Sequence, residues 1–349
     1  MLRWIIGACL ALLFGTGCGA RTPLGIDPPA SCTAQPADCG PVAAGAEGVV
    51  LFGGYGCTGG LGSDPLFCVE SDTWTWNGAS WTQQNVAGPG TWFVDGAATL
   101  DGAAVLLGDL PREPDGGFFD FVPSTWTWNG ATWTEQDVGP SATWSAGMTQ
   151  FDGTVVLFGG DAAGGGVLWT WNGTTWTSAT GLTPPGQRKG GVLSASNGSL
   201  VLFGGRDPST GDLGDTWTWD GAQWTERSVL GPPARDSAAM ATLNGEIVLF
   251  GGQSLLGGST TPSSGAGETL ADTWTWDGAS WTQRDVVGPS ARWGAAIAAL
   301  DGALVLFGGV DASGNTLGDT WTWDGTRWSA RDVAGPSPRY AAAAATVGP

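Results

Sequence analysis

Apolar residues along this chain fall into short runs broken by glycine and small polar residues, and two such runs recur. One is an apolar stretch ending in small residues. It appears six times, as Val49–Gly54, Ala104–Asp109, Val155–Gly160, Val201–Gly205, Ile247–Gly252 and Leu304–Gly309. It is apolar on both faces, as a strand between neighbouring sheets should be. A weaker apolar stretch such as Ala238–Leu243 or Ala295–Leu300 precedes it across a tight turn: Asp101-Gly102, Asp152-Gly153, Asn197-Gly198, Asn244-Gly245 or Asp301-Gly302. Such dipeptides between apolar runs are the strongest short hairpin signal.

The second recurring element is Trp-x-Trp, then Asn-Gly or Asp-Gly, then another Trp. Its tryptophans are Trp74/Trp76/Trp81, Trp126/Trp128/Trp133, Trp169/Trp171/Trp176, Trp217/Trp219/Trp224, Trp274/Trp276/Trp281 and Trp321/Trp323/Trp328, all but four of the 22 in the chain. Alternation of Thr and Trp puts the indoles of a strand on one face. The strand after the turn starts apolar and becomes polar (Trp281, Thr282, Gln283, Arg284), which suits an outer edge. Each copy therefore predicts four antiparallel strands in an all-β fold. Copies are spaced about 43 to 57 residues apart, the length of one four-stranded propeller blade.

The count of first strands predicts how the fold closes. The first copy begins directly at its second strand, near Val49, while Arg339–Val347 matches a first strand with nothing after it. Placed beside Val49–Phe52, this segment completes a ring and protects otherwise unpaired edges. The Gly-Gly after an apolar strand, the aromatic in strand three and the Trp opening strand four resemble the kelch repeat, over residues 49–347. The resemblance implies a six-bladed kelch-type β-propeller of the kind in galactose oxidase, closed by the C-terminal strand (residues 339–347). For function it implies an adaptor, a lectin-like module or, more rarely, an enzyme.

Residues repeated in every copy are expected to pack blade against blade. A second column is not uniform. Strand one begins at Trp92, Thr143, Arg188, Arg235, Arg292 and Arg339; strand three of the same blades begins at Ser124, Val167, Asp215, Asp272, Asp319 and Asp72. Arg and Asp occur together or not at all, which predicts a structural ion pair across strand two. The competing reading makes the arginines an anion-binding ring at the channel mouth. Connections one-to-two and three-to-four are tight. Connections two-to-three and four-to-one are long and differ between blades, and they share one face, where recognition on a rigid scaffold normally resides. The longest are Tyr55–Ser71, Asp109–Pro123 and Gln253–Ala271. Candidate ligand-binding residues on this face are Tyr55, Trp92, Phe118, Phe119, Phe121, Trp144, Arg188, Arg235, Arg292, Trp293, Arg339 and Tyr340.

Composition removes several functions. With a formal charge of −19 the chain would repel nucleic acid. It has no histidine, which removes the usual general base and commonest metal ligand. Galactose oxidase's copper site needs histidines, and a sialidase-like hydrolase would need a tyrosine nucleophile beside an arginine cluster, for which only Tyr55 and Tyr340 exist. No cofactor, metal or catalytic residue is expected. Residues 1–18 read as an export signal: Arg3 precedes the apolar run Ile5–Phe14, and Gly15-Thr16-Gly17-Cys18 resembles a lipobox whose Cys18 is lipidated. Cleavage after Ala20 is the alternative. Residues 19–46 read as a linker and 47–349 as the propeller. In an exported chain, Cys32–Cys39 and Cys57–Cys68 are the simplest disulfides. Together these readings predict a monomeric binding module for a protein or glycan. It would be lipid-anchored in a bacterial cell envelope, with secretion the alternative and a structural matrix role or a sialidase-like enzyme the competing readings.

Overall fold

The computed structural model describes residues 47–56, 69–91, 93–112, 120–140, 144–160, 165–179, 185–255 and 267–348. Cys18, Cys32, Cys39, Cys57, Cys68, Trp92, Phe118 and Phe119 lie outside these residues, as do the proposed leader and linker. Every regular element described is a strand, and the strands form six four-stranded antiparallel sheets. Blade 1 consists of Ala343–Val347, Gly48–Phe52, Thr73–Trp76 and Trp81–Gln84, from first to fourth strand. Blade 2 is Phe93–Leu100, Ala103–Arg112, Asp120–Trp128 and Trp133–Val138; blade 3 is Trp144–Phe151, Thr154–Gly160, Gly166–Trp171 and Trp176–Ser178. Blade 4 is Val192–Ser196, Ser199–Asp207, Gly211–Trp219 and Trp224–Glu226. Blade 5 is Ala239–Leu243, Glu246–Phe250, Thr273–Trp276 and Trp281–Arg284, and blade 6 is Ala296–Leu300, Ala303–Phe307, Thr320–Trp323 and Trp328–Arg331.

The first strands of successive blades touch one another all the way round, so they line the centre of a closed ring. Closure is made as the strand count predicts: Ala343–Val347 pairs antiparallel with Gly48–Phe52, from Gly48 opposite Val347 to Phe52 opposite Ala343. The fold is thus a six-bladed β-propeller. Turns on one face are uniform. At the first-to-second turn Asp101, Asp152, Asn197, Asn244 and Asp301 adopt φ near +50° ahead of glycine, the left-handed conformation that Asn and Asp tolerate best. At the third-to-fourth turn the side-chain Oδ1 of Asn77, Asp220, Asp277 or Asp324 accepts two backbone N–H groups at 2.8–3.0 Å.

The tryptophan that opens each fourth strand locks its blade to the preceding one. Trp81, Trp133, Trp224, Trp281 and Trp328 each meet, at 5.3–5.5 Å, a phenylalanine from the second strand of the blade before: Phe307, Phe52, Phe158, Phe203 and Phe250. Steeply inclined pairs of this kind add about 0.5–1.5 kcal/mol beyond their buried area. The same indole N–H donates to a threonine on the preceding blade's third strand. The pairs are Trp81 to Thr320, Trp133 to Thr73, Trp176 to Thr125, Trp281 to Thr216 and Trp328 to Thr273, all at 2.8–3.0 Å. Two interfaces depart. Leu107 stands where the other blades carry the phenylalanine, and Trp176 packs on the cluster that contains it. Leu168 stands where the other blades carry threonine, and the buried indole nitrogen of Trp224 has no partner. The tryptophan columns are packing between blades, as their repetition implies.

Two of the connections expected as loops are partly strand. Asp109–Pro123 continues the ladder of blade 2 out to Arg112 opposite Asp120. Gln253–Ala271 contains a separate hairpin, Gln253–Leu255 against Gly267–Thr269. Thr216→Val keeps the shape of a buried side chain but leaves the Trp281 N–H unsatisfied. It should cost about 1–3 kcal/mol, read as a fall in thermal midpoint.

Candidate functional site

Four blades carry the same ion pair, a buried arginine with a partly exposed aspartate, at the long-loop end of the ring. Arg188 reaches Asp215, Arg235 reaches Asp272, Arg292 reaches Asp319 and Arg339 reaches Asp72, each through two parallel N–H to O contacts. The arginines are only 1–2 % exposed. A second Nη1 hydrogen goes to the carbonyl of the glycine ending strand two, namely Gly204, Gly251, Gly308 or Gly53. Nε goes to the carbonyl two residues back, on Gly186, Pro233, Ser290 or Ser337. Ser290 and Ser337 hydroxyls take the remaining donor of Arg292 and Arg339. These guanidiniums tie strands one, two and three together. Arg188, Arg235, Arg292 and Arg339 thus form the ion pairs across strand two that the joint occurrence of Arg and Asp predicts.

Each carboxylate has a second client, the indole N–H of Trp74, Trp217, Trp274 or Trp321, at 2.7 Å. Burial by itself would raise these aspartates' pKa. The arginine hydrogen bonds and charge, with the indole donor, outweigh it and hold Asp72, Asp215, Asp272 and Asp319 below the usual carboxylate range. In blades 2 and 3, where Ser124 and Val167 replace aspartate, the corresponding nitrogens of Trp126 and Trp169 are buried without a partner.

The residue after each arginine makes a backbone bridge at the long-loop end of the blade, and the backbone beyond it is held by a chain of bonds between blades. Ser237 N–H donates to Gly190 O, Gly294 N–H to Ser237 O, and Ala341 N–H to Gly294 O, at 2.7–2.8 Å. Ser237 and Ala341 take φ of 54° and 52° to do so. Blades 2 and 3 lack this device. Their first strands run longer and carry bulges at Val94/Gly96 and Ser145/Gly147.

On this rim the aromatic candidates of blades 6, 1 and 2 come together. Trp293 meets Tyr340 at 5.2 Å, Tyr340 meets Tyr55 at 5.3 Å, Tyr55 meets Phe93 at 6.3 Å and Phe93 meets Phe121 at 5.0 Å. All five are half-buried. Tyr55 and Tyr340 are also joined through a backbone bridge beyond the closing strands. Burial, then Tyr340, then the carboxylates Asp95 and Asp109 push the Tyr55 phenol well above its ordinary value, and burial raises Tyr340. The opposite side of the mouth, in blades 4 and 5, is polar. Asp236 is buried, with its pKa raised by burial, and takes a hydrogen bond from Gln253 at 3.0 Å. Arg206 pairs with Asp212 at 3.0 Å.

Trp144 opens the first strand of blade 3, opposite Gly160. Among the described residues no group of three acidic or cysteine side chains gathers to hold a metal ion. Sequence comparison of the copies missed Phe93, Asp95 and Asp236. Aligning the residue that follows each member of the arginine column would have found Phe93 and Asp236.

Asp272→Ala strands the fully buried Arg235 and should cost about 3–5 kcal/mol, and Arg235→Ala, which leaves the half-buried Asp272, should cost less. The double variant should be no worse than the poorer single one, measured as a thermodynamic cycle. These aspartates have folded pKa values below their unfolded values near 3.9. Their stabilisation is therefore complete above that range and lost as pH falls through the folded values. The thermal midpoint should hold level near pH 5–7 and fall below about pH 4, with a shallower fall in the double variant.

Comparison with known families gives one match: the KLHDC2/KLHL20/DRC7 Kelch-repeats domain, over residues 167–348. No curated protein matches the chain significantly. The matched stretch holds the end of blade 3, blades 4, 5 and 6 and the closing strand, and with them all four arginines of the column and three of their aspartates. The repeat residues, the closed six-bladed ring and this match agree, and the chain belongs to the KLHDC2/KLHL20/DRC7 Kelch-repeats domain family.

Proposed function

We propose that this protein is a non-enzymatic interaction module that docks a protein partner on its long-loop face, around the channel mouth. Kelch propellers are commonly interaction modules, which supports the general reading. One observation carries the choice of face. The residues that repeat in every blade are consumed in packing and turns, while those that break the repeat converge on the mouth as the Trp293–Tyr340–Tyr55–Phe93–Phe121 arc. Contiguous, partly open aromatics on a rigid scaffold favour an interface. Leu230, 96 % exposed, and Val287, 91 % exposed, add apolar points in the fourth-to-first connections of the same face.

A tyrosine-nucleophile hydrolase is disfavoured by the same geometry. Both phenols are pushed up in pKa, and Arg339, next to Tyr340 in sequence, is committed to Asp72.

The export reading is kept within this proposal: the propeller is carried to the cell envelope, anchored through Cys18, with disulfides Cys32–Cys39 and Cys57–Cys68. A mass increase of a lipidated N-terminal cysteine, found in the membrane fraction and abolished by Cys18→Ser, supports the anchor; a chain released after Ala20 overturns it. For the docking face, the chain is immobilised and exposed to an envelope extract. Trp293→Ala and Leu230→Asp should abolish capture of the main partner, and Asp324→Asn on the opposite face should not. Capture insensitive to the first two would remove the long-loop face from the proposal.

A further inference from the structure

We propose that the open cleft between blades 3 and 4, on the face of the tight turns, is a binding site for a neutral saccharide. This face is opposite the docking surface proposed above, and the site does not depend on that surface. The cleft has a volume of about 460 Å³, which falls within the roughly 300–1,000 Å³ of small-molecule sites. Gln150, Phe151 and Asp152 come to it from the end of the first strand of blade 3. Ala195 and Asn197 come from the same position in blade 4, and Asp220 comes from that blade's third-to-fourth turn.

The cleft opens here because several repeated positions change together at this interface. In four other blades the residue ahead of the first turn is Leu100, Leu243, Leu300 or Val347, each buried. Blade 3 has Phe151 instead, a larger ring that is only half-buried. One residue earlier in the column, the hydroxyls of Thr99, Thr242 and Thr346 donate to carbonyls of the preceding blade, on Thr346, Ala195 and Ala299, at 2.5–2.8 Å. Blade 4 has Ala195 in that column, so no hydroxyl there ties it to blade 3. This is also the interface at which the Trp224 indole lacks its threonine. Phe151 and Ala195 pack against the cluster that holds Trp219, which is 6 % exposed where its five counterparts are 0–1 %. The cleft thus has an apolar floor beneath a polar rim.

The rim selects its occupant by elimination. It carries no lysine or arginine, and Asp152 and Asp220 repel an anion. A cation would find Asp220 already accepting two backbone N–H groups of its own turn at 2.8 Å, and an exposed carboxylate such as Asp152 holds a cation weakly. An apolar molecule would strip water from the amides and carboxylates without replacing their hydrogen bonds. A neutral sugar answers each group. Its hydroxyls donate to carboxylate and amide oxygens, its oxygens accept from the Gln150 amide, and its C–H face lies on the Phe151 ring. Asn197 is held in place for this role, since its Nδ2 donates to the Gly245 carbonyl of blade 5 at 3.2 Å and its Oδ1 is the acceptor it offers.

The test is calorimetric titration of the full-length chain with maltose, cellobiose and chitobiose, and with glucuronate and spermidine as charged controls. At least one disaccharide should bind, and neither control should. Retention on amylose, cellulose or chitin assigns a glycan chain as the source, and binding of the disaccharide alone assigns a diffusible sugar. Phe151→Leu and Asp152→Asn each install a residue that other blades carry in the same column, so both should fold, and each should weaken binding about tenfold. Ala195→Thr restores the missing tie and narrows the cleft, and it should weaken binding without lowering the thermal midpoint. Asp324→Asn makes the same charge change in blade 6 on the same face and should leave affinity unaltered. Failure of every disaccharide overturns the proposal. So does binding that survives all the cleft variants, an equal loss in Asp324→Asn, or tighter binding of spermidine or glucuronate. None of these outcomes bears on the docking face, which partner capture tests separately.

Discussion

Each blade of this propeller is an open sheet with two exposed edges and two apolar faces, and none could stand alone. What makes the six into one body is the contact between the tryptophan opening each fourth strand and the blade before it. That indole packs against a phenylalanine and donates its N–H to a threonine in the same neighbour, so one side chain supplies both apolar area and a directional bond. Closure through Ala343–Val347 lets this interlock run around the ring without a free end. The positions of the mouth residues inherit their precision from it.

The arginine–aspartate column is a second constraint, acting within blades. A buried arginine in an ion pair repays its desolvation only when geometry and remaining hydrogen bonds are complete, and here they are. The guanidinium takes two carboxylate contacts and two or more backbone or hydroxyl acceptors, while the carboxylate also accepts an indole N–H. Where the aspartate is missing, in blades 2 and 3, the indole nitrogens of Trp126 and Trp169 lose their acceptor and the first strands bulge. The interlock is also incomplete next to that sector, at Leu168 and Trp224. Regularity and departure are thus segregated. Blades 4 to 6 hold the repeat closely and fall within the family match, and blades 2 and 3 relax it.

The arc from Trp293 to Phe121 spans the boundary between the two sectors. Its members in blades 6 and 1 stand on backbone fixed by the interblade chain through Ser237, Gly294 and Ala341. Its members in blade 2 stand on the extended, bulged ladder. The arc therefore joins side chains set on two different kinds of backbone, one interlocked between blades and one extended within a blade.

The sequence by itself determined the fold class, the number of blades, the closing strand and the pairing of arginine with aspartate. All of these follow from local signals repeated at a fixed spacing, and repetition lets the copies be compared with one another. It also separated tight turns from long connections, and so the two faces. Tertiary structure alone decided that the four arginines are buried, that Tyr55 and Tyr340 stack across the closing strands, and that Phe93 joins them. Those facts depend on which side chains from different strands and blades converge. The convergence at the arc leaves no periodic trace in the chain, because it occurs only once.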